Sequence, residues 1–65
     1  MMNIWNYLYK SIRLTDIDGA VFIGEVIDIS AKEDTGEGED SLTLELANGQ
    51  ILGFAPSEIK EIKVL

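Results

Sequence analysis

A glycine sits inside the longest β-branched apolar run of the chain, DIDGAVFIGEVIDIS, residues 16–30. Runs of Val and Ile fit a pleated, buried surface, so residues 20–30 read as a long strand. An interior glycine weakens a strand, and it needs a bulge, a sharp bend or a close backbone approach to justify it. A bend is the preferred explanation for Gly24, because a small barrel needs its long strand to turn as it passes between two halves. The run is apolar on both sides. Ala20, Phe22 and Val26 fall on one face, and Val21, Ile23, Ile27 and Ile29 on the other. The expectation is a strand covered on both faces, by a neighbouring element or by a second subunit.

The other segments add four more strands. Ile12, Arg13, Leu14 and Thr15 alternate, so residues 12–17 read as a strand that turns at Asp18-Gly19. Residues 41–47, SLTLELA, alternate strictly, with Leu42, Leu44 and Leu46 facing inward. Asn48-Gly49 is a strong hairpin signal, and residues 50–55 return as the next strand. Pro56, Ser57 and Glu58 make a one-turn connection to a last strand at 59–64. Ile4, Leu8 and Ile12 have helical spacing, so a short helix over residues 3–10 is expected, with Asn3 as its N-cap. Residues 31–40, AKEDTGEGED, read as an acidic loop. Five short strands with no alternating helices predict a mainly β fold: a short helix, then a strongly bent five-stranded antiparallel barrel of the SH3-like class. One domain, residues 1–65, accounts for the length.

Composition narrows the chemistry. A 65-residue domain is marginal by itself and usually gains stability from disulfides, a metal or a partner subunit. With no Cys and no His, disulfides and thiolate or imidazole metal sites are excluded. Oligomerisation remains, through the edge strands. Twelve acidic residues against five basic ones give a net charge of −7, which repels polyanions. The positive residues, Lys10, Arg13, Lys32, Lys60 and Lys63, are scattered rather than gathered into the patch a nucleic-acid binder shows. No secretory signal or membrane-length apolar segment is read, so a cytoplasmic location is expected.

The segment DGAVFIGEV, residues 18–26, resembles the first motif of the Sm and Sm-like (LSm) proteins, with Asp18, Gly19, Phe22, Gly24 and Val26 in the matching places. SLTL, residues 41–44, matches the close of that motif, and an N-terminal helix fits as well. The resemblance implies a bent five-stranded barrel whose fourth and fifth strands pair between subunits to close a ring, and a site for single-stranded, often uridine-rich RNA. The site residues depart from the pattern. Ser30 stands near the place of the RNA-contacting aspartate, and Ser41 in that of the asparagine. The Arg-Gly pair of the second motif is missing, with Ala55-Pro56 in its region. The connection before residue 41 is longer than the family's and carries Glu33, Asp34, Glu37, Glu39 and Asp40, five carboxylates that repel phosphate.

No catalytic constellation is visible: there is no imidazole or thiol, and Ser11, Ser30, Ser41 and Ser57 have no recognisable activating partner. Asp16 and Asp18 read as turn-flanking residues rather than an acid–base pair. The acidic loop lacks EF-hand spacing; it is a solvated loop, with weak cation binding or a basic protein partner as alternatives. Trp5, Tyr7 and Tyr9 read as cover for a barrel mouth or an interface, with base stacking as the sharper alternative. The expectation is a non-enzymatic oligomeric protein-interaction or structural module with no cofactor and no metal. The alternative is an RNA binder that uses another surface, the end carrying Lys10 and Arg13.

Overall fold

Leu42 and Leu44 are fully buried while Glu45 is exposed, and this alternation places one face of the third strand in the core. The computed structural model describes residues 3–65. In order it contains a 3₁₀ turn (Ile4–Tyr7), β1 (Ser11–Asp16), β2 (Val21–Ser30), α1 (Lys32–Thr35), β3 (Ser41–Leu46), β4 (Ile51–Phe54), a second 3₁₀ turn (Pro56–Glu58) and β5 (Ile59–Val64). The fold is mainly β. All five strands lie antiparallel in one sheet, in the order β4-β3-β2-β1-β5. The inner face packs Ile12, Leu14, Val26, Ile29, Leu42, Leu44, Phe54 and Ile59 into one core, capped by Ile4 from the first 3₁₀ turn. The sheet curls over this core, so that Phe22 on β2 meets Phe54 on β4 with ring centroids 5.3 Å apart. β4 and β5 end the sheet without pairing, so one chain leaves the expected barrel open.

β2 departs from the expected two-sided burial. Its register with β3 shifts between Val26 and Asp28, leaving Ile27 as an extra residue. The bulge resets the alternation, so Val26 and Ile29 both face the core. Before it, Val21 and Ile23 lie on the outer face and are 54% and 56% exposed. Gly24 is explained by a close approach. A Cβ there would collide with the carbonyl oxygen of Glu45 and lie 3.2 Å from Leu44 Cγ.

Both hairpins use one design. The Asp16 N–H donates to Ala20 O, and the Gly19 N–H to Asp16 O; the Leu46 N–H donates to Gln50 O, and the Gly49 N–H to Leu46 O. Only the glycines take positive φ, +88° at Gly19 and +86° at Gly49, so these are three-residue loops with a glycine bulge rather than two-residue primed turns. Asp16 Oδ1 accepts from the Asp18 and Ala20 N–H groups, and Asn48 Oδ1 from the Gln50 N–H.

The expected helix over residues 3–10 is only the 3₁₀ turn Ile4–Tyr7. Asn3 caps it by accepting the Trp5 N–H. Leu8 leaves helical geometry at ψ 130°, and Tyr9 follows at φ +65°. So short a helix has no stability of its own, and bonding to the sheet outweighs it: the Tyr9 N–H donates to Val26 O, and the Val26 N–H to Lys10 O. The expected acidic loop at 31–40 also differs, because it contains α1. Asp40 Oδ1 accepts the Lys32 N–H at its start, and Gly36 ends it at φ +72°.

Candidate functional site

Ser30 ends β2 and Ser41 begins β3, and the two are direct cross-strand partners. The structure therefore joins the two positions that the family resemblance singles out, at the mouth of the acidic segment. Both are half-buried. Ala55, in the region of the missing Arg-Gly pair, is buried, and Pro56 opens the second 3₁₀ turn. There the Ala55 N–H donates to Glu58 Oε1. Of the positions on which the resemblance rests, Gly19 turns the first hairpin, Phe22, Gly24 and Val26 follow along β2, and Asp18 lies exposed in the loop.

Two of the five carboxylates in the acidic segment are tied down. Glu39 accepts at Oε1 from the Ser57 N–H (3.1 Å) and at Oε2 from the Ser57 hydroxyl (2.7 Å). Asp40 Oδ2 accepts the Trp5 indole N–H at 2.9 Å while its Oδ1 caps α1. The bond from Trp5 and then the bond from the Lys32 N–H hold the Asp40 carboxyl below its ordinary value of 3.8; desolvation opposes them, and the Lys32 charge adds the weakest pull downward. Thr35 adds a third tie, donating its hydroxyl to Glu39 O at 2.8 Å. The segment is thus anchored to both 3₁₀ turns, while Glu33, Asp34 and Glu37 stay exposed. Sequence reading missed these anchors. They join residues 35 and 18 positions apart, and no local pattern signals them.

Elsewhere the sheet exposes its edges and its outer face. The Leu46–Gln50 bond sets the phase of β3 with β4, and bonded pairs alternate from there, so Ile51 and Gly53 turn their N–H and C=O groups to the open edge. On β5 the Leu65 N–H donates to Ser11 O, and the same alternation turns Ile62 and Val64 outward. On the outer face a groove of about 580 Å³ runs beside Gly24, lined by Ser11, Ile23, Glu25, Glu45, Ala47 and Leu65 among others.

Among the described residues no group of three or more acidic, His or Cys side chains is arranged to hold a metal ion. No helix among them is long and apolar enough to cross a membrane. The titratable groups available are carboxylates, amines, one guanidinium and two phenols. No family model matches the chain, and no curated protein or solved structure shows significant similarity to it.

Proposed function

We propose that this chain is a non-enzymatic assembly module: a bent, Sm-like or SH3-like small barrel completed between copies, with the family's RNA site lost. The observation that carries this reading is the pair of open edges. β4 and β5 stand at opposite ends of one sheet, each with two residues whose backbone groups face outward. An unpaired edge is a template for another strand. β4, ILGF, has no charged residue to block it, whereas β5 carries Lys60, Glu61 and Lys63. Pairing β4 of one copy with β5 of the next satisfies both edges and leaves the acidic segment outside as the surface for a protein partner.

The RNA half of the proposal rests on Ser30 and Ser41. Neither carries the charge or the amide of the family residues, and Glu39 and Asp40 lie next in the chain. Sedimentation at micromolar concentration is expected to give a species several times 7.2 kDa. Gly53→Pro removes one outward N–H without touching the β3 ladder and is expected to lower that mass. A clean 7.2 kDa wild-type species overturns the assembly reading. Titration with short U-rich and A-rich RNA is expected to show no binding. Salt-sensitive micromolar binding overturns that part and points to the exposed Trp5, Tyr9 and Lys10 instead.

A further inference from the structure

The outer face of the sheet carries charge in an unusual arrangement. Glu25 on β2 stands directly opposite Glu45 on β3. Arg13 on β1 stands directly opposite Lys63 on β5. Directly opposed like charges destabilise a sheet, and this face holds two such pairs, of opposite sign. Ile23 is the direct partner of Arg13 and lies two residues from Glu25 on the same strand, so it sits between the acidic and the basic pair. It is 56% exposed, and Leu65 and Ala47 flank it along the groove. Two of the chain's five basic residues therefore lie on this one face.

We infer that this face is a second self-association surface, occupied by the same face of another copy. A two-fold interface requires a patch to complement its own rotated image. Strand spacing and rise put Glu25 and Arg13 about 8 Å apart in the plane of the sheet. A two-fold axis lying in that plane, midway between them, sets each Glu25 against the second copy's Arg13. The same operation brings the two Ile23 side chains together. Glu45 and Lys63 extend the two charged ends on their neighbouring strands. Each like-charge pair, repulsive within one chain, thus meets charge of the opposite sign. The contact needs no free sheet edge, so it is independent of β4–β5 pairing and can join one edge-paired assembly to another.

The test runs in the Gly53→Pro chain, which isolates this face from the edges. Sedimentation is expected to show a dimer, twice 7.2 kDa. Glu25→Arg alone and Arg13→Glu alone are each expected to weaken it by at least about tenfold. An equimolar mixture of the two variants is expected to restore the dimer, because each mismatched charge meets its opposite. A second measurement uses the wild-type edges: the chain has no cysteine, so Ile23→Cys is a single thiol. It is expected to cross-link under mild oxidation, and Thr43→Cys, away from the axis on the same face, is not. A monomeric Gly53→Pro chain, reversals without effect, or a mixture that fails to restore the dimer overturns the inference. So does an Ile23→Cys chain that stays uncross-linked. If an oligolysine peptide instead saturates the groove while the chain stays monomeric, the face belongs to a basic partner and the inference falls. Failure of edge pairing reads differently: Gly53→Pro then leaves the wild-type mass unchanged.

Discussion

Leu44 and Glu45 are neighbours in β3 with opposite surroundings. Leu44 is fully buried between β2 and β4, packed into a continuous core. Glu45 points the other way and meets Glu25. The same contrast runs through β2, where Val26 is buried and Ile23 is open to solvent. The inner face is mostly closed within one chain: Ile12, Leu14, Val26, Leu42 and Leu44 are fully covered, Val64 beside Ile12 on the β5 edge stays half exposed, and no buried side-chain polar atom of the described residues lacks a partner. The outer face holds apolar groups without cover and charges beside like charges. Substitutions on the first face should therefore register as folding energy, and those on the second as association.

The sharpest test of the inner face is Leu44→Ala. Emptying this site is expected to cost about 2–5 kcal/mol, read by urea unfolding. Gly24→Ala drives a methyl into the Glu45 backbone and is expected to cost about 1–3 kcal/mol. A loss much smaller than this would show that β3 can move away from β2 at low cost. On the outer face, Glu45→Lys replaces a repulsive cross-strand pair with an attractive one, and a gain of about 0.2–1 kcal/mol is expected in dilute solution. A loss there would break the comparison, because Glu45 would then be supporting the monomer.

Two smaller effects test the N-terminal turn that caps the core. Tyr9 is 72% exposed and left-handed, so its side chain contributes little to packing. Tyr9→Gly is expected to stabilise the fold by about 0.5 kcal/mol, because left-handed strain of about 1–2 kcal/mol exceeds the unfolded-chain entropy that glycine adds. The smallest effect is the pH dependence of the Trp5–Asp40 bond. The Asp40 carboxyl lies below 3.8 in the fold, so its contribution is present above that value and fades as pH falls through the lower folded value. Trp5 emission is expected to change in that acid range, and Asp40→Asn to abolish the step.

Much of the fold is legible in the sequence, because its signals are local. Asp18-Gly19 and Asn48-Gly49 mark the two hairpins, and the Leu42-Leu44-Leu46 period marks a half-buried strand. The site is less legible. Ser30 and Ser41 are eleven residues apart in sequence number, and only strand register makes them partners. The anchors of the acidic segment on Trp5 and Ser57 are invisible for the same reason. The N-terminal helix stops after the turn that Asn3 caps, because Tyr9 and Lys10 find backbone partners on β2.

From its residues alone this protein was bound to be a small, acidic, mainly β chain with no imidazole or thiol chemistry. Periodicity and turn residues act over a few positions and need no distant contact. Three things belonged to tertiary structure: the bulge at Ile27 that turned Val26 and Ile29 to the same side, the exposure of Val21 and Ile23, and the gap between β4 and β5. Each depends on how far one strand is shifted against another. That shift is chosen by the packing of the whole inner face, including the room that Gly24 leaves for the backbone of Glu45.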